Sequence, residues 1–185
     1  MRALVVAFIM SSVILAGCSS YDVHSDYDPS TDFLRYTSFA IKKDLDVPGD
    51  ILEKESFTQQ RVFSSIESAL MNKGLRMVSI DEADLVILTY AGVQDKVDIS
   101  TYGYSYGGYW GPYYGGYGGR SYSQQTVVNR YQEGTLHIDI LDAKKKELVW
   151  KGSGTGVIGQ ARSPQEREAN INEAVLEILD EFPPH

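Results

Sequence analysis

Cys18 is the only cysteine of the chain, and it closes the apolar run that opens the sequence, "MRALVVAFIMSSVILAGC". With no second cysteine to pair with, its thiol has no internal disulfide to form. A second pattern, "GTGVIG" at 154–159, follows a strand-like run and precedes a capped helix, as a dinucleotide-binding loop would. That chemistry also needs a second parallel strand carrying an acid about 20 residues on, and the glycines begin too far before Ser163 to bring a pyrophosphate to a helix N-terminus. The stretch is therefore read as a flexible strand-to-helix connection. His24, His137 and His185 have no local partners at metal-ligand spacing, so no metal is expected. His137, Asp139 and Thr135 share one face of a strand, a polar cluster read as a solvated sheet face. No nucleophile elbow, phosphate loop or calcium loop is present, and the chain is read as non-enzymatic with no cofactor.

The opening segment has one positive residue, Arg2, and an apolar stretch from Ala3 to Leu15 that is too short to span a bilayer. This is the layout of a secretory signal peptide. Leu15, Ala16, Gly17 and Cys18 resemble the lipobox of bacterial lipoproteins, which implies cleavage before Cys18, diacylglycerol on its thiol and an acyl chain on its new amino group. Each buried methylene contributes about 0.8 kcal/mol, so several chains on one residue anchor permanently where one holds only marginally. By the same resemblance, Ser19 after the cysteine points to the outer membrane, with the chain facing the periplasm. The expected organisation is a signal peptide at 1–17, an anchor and short tether at 18–20, and one domain at 21–182.

The composition fits a single soluble domain: 43% apolar, 23% charged, with a formal net charge of −8. So acidic a chain lacks the footprint for phosphate backbones, and nucleic acid is excluded as a main partner. Lys144, Lys145 and Lys146 precede Glu147 between two strand-like runs and read as a solvated turn.

Two helices must position whatever the strands carry. In the first, Ser56 and Gln59 have capping-box spacing, Phe63, Ile66 and Leu70 share a face with Val62 and Ala69 beside them, and Gly74 stops it. In the second, Ser163 is the N-cap, Pro164 takes the first helical position and Glu166 completes a capping box. Ile171, Ala174, Val175, Ile178, Leu179 and Phe182 then form one stripe. Strands are expected at Tyr21–Tyr27, Tyr36–Ile41, Leu75–Ser79, over the apolar run "ADLVILTYAG", and in a hairpin. There Leu136, Ile138 and Ile140 face one side and Leu148–Lys151 pair back. The apolar run is read as a buried central strand. The predicted class is α+β: a mixed, mainly antiparallel sheet with two helices packed on one face.

Three blocks resemble one family. They are "DYDPSTDFLRY" (Tyr27, Asp28, Pro29, Asp32, Phe33, Tyr36), "ADLVILTY" (Ala83, Asp84, Leu85) and "YQEGTLHIDILDAKKKELVWKG" (Gly134, Leu136, Asp139, Asp142, Trp150, Gly152). The chain resembles domain-of-unknown-function family 4136, small lipoproteins of the Gram-negative envelope, over about residues 20–182. The resemblance implies a fold and a location and brings no activity.

Residues 102–122, "YGYSYGGYWGPYYGGYGGRSY", hold eight of the 13 tyrosines and eight of the 17 glycines. So much glycine makes a fixed backbone costly, and the insertion at 100–123 reads as the tip of a hairpin whose arms run along Gln94–Ile99 and Gln124–Tyr131. Tyrosine offers large amphipathic area at little entropic cost, so the expected use is adaptable contact with an envelope protein. The contact energy is expected at Tyr109, Trp110, Tyr113, Tyr114 and Tyr117. Alternatives are a tolerated low-complexity loop, stacking on peptidoglycan or another envelope glycan, rings set at the lipid headgroups, or an envelope enzyme with an unrecognised site.

Overall fold

A strand whose alternate residues are apolar can cover a core on one face only, and the computed structural model shows how this chain uses that rule. It describes residues 21–43, 45, 47–104, 123–159 and 161–184, with the side chains of 98–104 and 123–129 left undescribed. The elements are β1 (Asp22–Tyr27), a 3-10 turn (Phe33–Arg35), β2 (Ser38–Ile41), α1 (Ser56–Asn72), β3 (Arg76–Met77), β4 (Leu85–Tyr104), β5 (Ser123–Asp142), β6 (Glu147–Ile158) and α2 (Pro164–Asp180). They form one six-stranded sheet in the order β1-β6-β5-β4-β2-β3. β2 runs parallel to β3 and β4, and every other pairing is antiparallel. The class is α+β, as the sequence predicts.

Both helices lie on one face. Val62, Ile66 and Leu70 of α1 and Val175, Ile178 and Leu179 of α2 join Leu85, Ile87, Ile138, Ile140 and Trp150 in a single buried cluster. α2 starts as its sequence prescribes: Ser163 accepts a hydrogen bond from the Glu166 amide at 3.1 Å, and Glu166 Oε2 accepts from the Arg162 amide at 2.7 Å. α1 differs from expectation. Its cap is Glu55, with no side-chain hydrogen bond, and Ser56 is already helical. A turn in which Lys54 and Glu55 donate to the Ile51 carbonyl runs directly into the helix, which starts it one residue earlier than the Ser56 signal implies. Gly74, at φ +92°, stops α1 as predicted.

Three strand expectations change. β4 is buried on one face only: Leu85 and Ile87 are inaccessible, whereas Val86, Leu88 and Tyr90 stay half-exposed. β4 and β5 also pair over twenty residues each, from Leu85↔Asp142 to Tyr104↔Ser123, further than the apolar pattern reaches. Finally, 154–158 belongs to β6, and the expected flexible connection narrows to the turn at Gly159, φ +88°.

The reason for the β6 glycines is packing. A Cβ at Gly152 would sit 2.7 Å from Ile178 and collide with the Trp150 ring, one at Gly154 would lie 2.9 Å from Ile178, and one at Gly156 would lie 2.5 Å from the Tyr21 ring. Trp150 needs the room: it is fully buried, edge-on to Phe182 at 5.5 Å.

Acidic side chains tie the connections to this frame. Asp142 accepts from the amides of Lys144 and Lys145 at 2.9 Å each, from the Tyr36 hydroxyl at 3.0 Å and from the Arg35 guanidinium. Asp84 receives the Thr37 amide at 3.0 Å and the Ser38 hydroxyl at 3.0 Å. Asp50 takes the amides of Leu52 and Ala91 at 2.9 Å each, which docks the loop before α1 onto β4 beyond the end of β2.

Packing of this tightness predicts a contrast between two glycines in strands. Gly152→Ala should cost about 1–3 kcal/mol, because Trp150 and Ile178 have nowhere to move. Gly92→Ala meets nothing within 4 Å and should leave the melting temperature unchanged or slightly raised. Thermal unfolding followed by circular dichroism checks both, and equal effects would contradict the packing account.

Candidate functional site

The helices leave the other face of the sheet open, and its residues form rows fixed by strand register. Asp26, Lys151, Asp139 and Leu88 make one row across β1, β6, β5 and β4. His24, Ser153, His137 and Tyr90 make the next, and Asp22, Thr155, Thr135 and Gly92 the third. The predicted grouping of Thr135, His137 and Asp139 is thus present, joined by Tyr90 and Lys151, whose partnership depends on a register not visible in sequence.

The centre of the face is an aromatic pair. The Tyr90 and His137 rings stack at 4.7 Å with planes 15° apart, and the Asp139 carboxylate lies beside the Tyr90 hydroxyl. Burial holds the Asp139 carboxyl above its usual range, only partly opposed by the nearby His137 and Lys151 and by the Tyr90 hydrogen bond. Burial, then the Asp139 charge, raises the Tyr90 hydroxyl in turn. Around them the polar groups are already engaged: Lys151 Nζ lies 3.3 Å from Asp26 Oδ2, and the hydroxyls of Thr135 and Thr155 are 2.9 Å apart. The Thr135 and Thr155 hydroxyls thus occupy each other on an otherwise open face. That face can stack a ring or accept a hydrogen bond.

At the end of the face near the β5–β6 turn, the surface sinks into an open depression of about 600 Å³ floored by Val86, Leu88 and Leu141 and rimmed by Lys42, Lys144 and Lys146. These lysines make no ion pair among the described residues. The rim acids Asp84 and Asp142 are spent on the hydrogen bonds described above. Among the described residues no group of three His, Cys, Asp or Glu side chains is placed to hold a metal ion.

Of the residues singled out in the sequence, Leu15, Ala16, Gly17 and Cys18 lie outside the described residues, as do Tyr109, Trp110, Tyr113, Tyr114 and Tyr117. The described part of the chain reaches both sides of the tyrosine and glycine stretch. β6 pairs with β5 only as far as Ile158↔Gln132, so beyond it β4 and β5 continue alone, from Lys96↔Tyr131 to Tyr104↔Ser123. Nine residues per strand make a two-stranded ribbon of about 30 Å. Its root carries an ion pair, Lys96 Nζ to Glu133 Oε2 at 3.5 Å.

Two carboxylates of opposite character give a paired test. For Asp142, burial opposes ionisation, but the Lys145 and Lys144 amides, the Tyr36 hydroxyl and Arg35 outweigh it and hold the carboxyl below its usual range. Its contribution is present at neutral pH and lost as pH falls through the folded-state value. Asp142→Asn should cost about 2–3 kcal/mol at pH 7, with the gap to wild type closing in acid. Asp139, raised by burial, works the other way: the native state loses stability as pH rises through its folded-state value. Asp139→Asn should therefore be the more stable protein at pH 7, with the difference vanishing towards pH 3. Urea unfolding across this range measures both, and the same sign for the two variants would refute the assignment.

The comparisons with known proteins give a family and no activity. A family model described as a domain of unknown function, DUF4136, matches residues 23–184. No curated protein matches the chain. A crystal structure of a PDZ domain protein from Parabacteroides distasonis is similar at 14% identity and a TM-score of 0.57, covering 100% of this chain and 40% of that one. This chain thus spans well under half the length of that relative, and the likeness shows the fold alone. A PelC dodecamer from Paraburkholderia phytofirmans matches at 12% identity and a TM-score of 0.41, over 86% of this chain and 94% of that one.

Proposed function

The chain belongs to the DUF4136 family, domains without an assigned activity, and we propose that it is a lipid-anchored envelope lipoprotein serving as a non-enzymatic contact module. In this reading Cys18 carries the diacylglycerol and acyl chains, the anchor lies in the outer membrane, and the domain faces the periplasm. The observation that carries it is the sequence Leu15-Ala16-Gly17-Cys18 after a short apolar segment, with no other cysteine in the chain. The contact element in this reading is the tyrosine and glycine stretch that connects the two arms of the β4–β5 ribbon. Aromatic rings on a glycine-rich backbone adapt to a surface without a preformed pocket. A second reading, binding of a glycan or peptidoglycan, is favoured by one feature: the exposed side of the sheet offers the stacked Tyr90 and His137 beside an acid, which suits a sugar ring.

Fractionation tests the anchor. In density-gradient separation of cell envelopes, wild type should sediment with the outer membrane and incorporate labelled palmitate. Cys18→Ala should lose the label and leave the outer-membrane fraction. Membrane association that survives the substitution without label would overturn the lipoprotein reading.

A further inference from the structure

The strand register puts the start of the domain and the root of the ribbon at the same end of the sheet. Asp22, the first residue of β1, lies in one row with Thr155, Thr135 and Gly92. From that row β4 continues towards the ribbon for twelve more residues, to Tyr104, or about 40 Å. In the opposite direction β5 continues for seven residues to Asp142, about 23 Å, before the lysine turn closes the far end.

The anchor of the proposed function fixes which end meets the membrane. Cys18 and Asp22 are four residues apart, and four residues span at most about 14 Å in any conformation. Row 22 is therefore held within about 14 Å of the bilayer surface, whereas the lysine turn stands about 23 Å from that row. A tether this short cannot hold the domain upright on its far end, because row 22 would then stand about 23 Å from the bilayer. The ribbon end is thus within reach of the bilayer, and the ribbon outreaches the tether by about 25 Å.

We propose that the β4–β5 ribbon lies in the headgroup layer of the same membrane that holds Cys18, so that the contact module reads the lipid surface beside its own anchor. This rests on the lipoprotein reading above. Two further observations fit it. The residues that connect Tyr104 to Ser123 include six tyrosines and Trp110 against one charged residue, Arg120, and tyrosine and tryptophan are the side chains that settle at a membrane–water boundary. A two-stranded ribbon is also marginal in water by itself and gains from a surface. The headgroup layer is the depth this geometry allows. Deeper insertion would leave both unpaired strand edges without hydrogen-bond partners in hydrocarbon.

Because Cys18 is the only native cysteine, and acylation consumes its thiol, single spin labels can be placed cleanly on the lipidated full chain. Thr101→Cys and Thr126→Cys label the two arms of the ribbon at one register position, and Lys145→Cys labels the turn at the far end. The three proteins are reconstituted on vesicles of phosphatidylethanolamine and phosphatidylglycerol. Electron paramagnetic resonance then compares collisions with oxygen and with an aqueous nickel chelate, after circular dichroism confirms the wild-type fold. Labels at Thr101 and Thr126 are expected to lose access to the chelate on vesicles while Lys145 keeps it. If the proteins float with the vesicles yet all three labels stay equally open to the chelate, the ribbon placement is overturned and the anchor stands. If the full chain does not float with vesicles at all, the anchor reading itself falls, and the placement with it.

Discussion

The close approach of α2 to the sheet, through Trp150 and the glycines that follow it, is the constraint on which the rest of the structure depends. Trp150 lies under Phe182 at the end of α2, and at the next inward positions of β6, Gly152 and Gly154 leave space that Ile178 fills. One large side chain and a row of absent ones thus make a surface shaped to a helix. The helix in turn carries Val175 and Leu179 into the cluster shared with α1. The cost is visible at one atom: Trp150 Nε1 is buried with no hydrogen-bond partner among the described residues, a penalty of about 1–3 kcal/mol that the packing must exceed. β1 depends on the same strand, since its six residues pair only with β6.

Around that frame, carboxylates join the connecting segments to the sheet through backbone amides and hydroxyls. Asp142 links the β5–β6 turn to the 3-10 turn before β2, where Arg35 lies over the Tyr36 ring at 4.8 Å from its centre. Asp84 holds the entry of β4 to the entry of β2. These acids sit at the end of the sheet opposite the ribbon. The molecule is therefore polarised, with its tightest polar network at one end and its least supported backbone, two strands with no third, at the other.

Much of this was legible in the sequence, and what escaped had a common cause. The periodic stripe of α2, its Ser163 cap and its Pro164 start are local signals, and the helix obeys them. The hairpin of Leu136, Ile138 and Ile140 against Leu148–Lys151 is equally local, as is the lysine turn, where Asp142 supplies the acceptor and Lys146 takes φ 58°. The glycines of "KGSGTG" misled because glycine marks a break when read by itself. Its recurrence at every second position marks a face, and only the helix lying there gives that face meaning. Tyr90 and Lys151 were missed as companions of His137 and Asp139 for the same reason, since cross-strand neighbours follow from register. The one-residue difference at the start of α1 reflects a preceding turn that runs directly into the helix.

The ribbon has a consequence for how such chains diverge. Beyond Ile158↔Gln132 its two strands pair only with each other among the described residues, so its length is uncoupled from the rest of the sheet's ladder. Inserting a matched pair of residues in each arm lengthens it by about 7 Å and keeps every side chain on its original face, whereas a single insertion inverts all positions beyond it. Variation among relatives should thus come in even steps, and the ribbon can act as a ruler that evolution resets without rebuilding the domain beneath it.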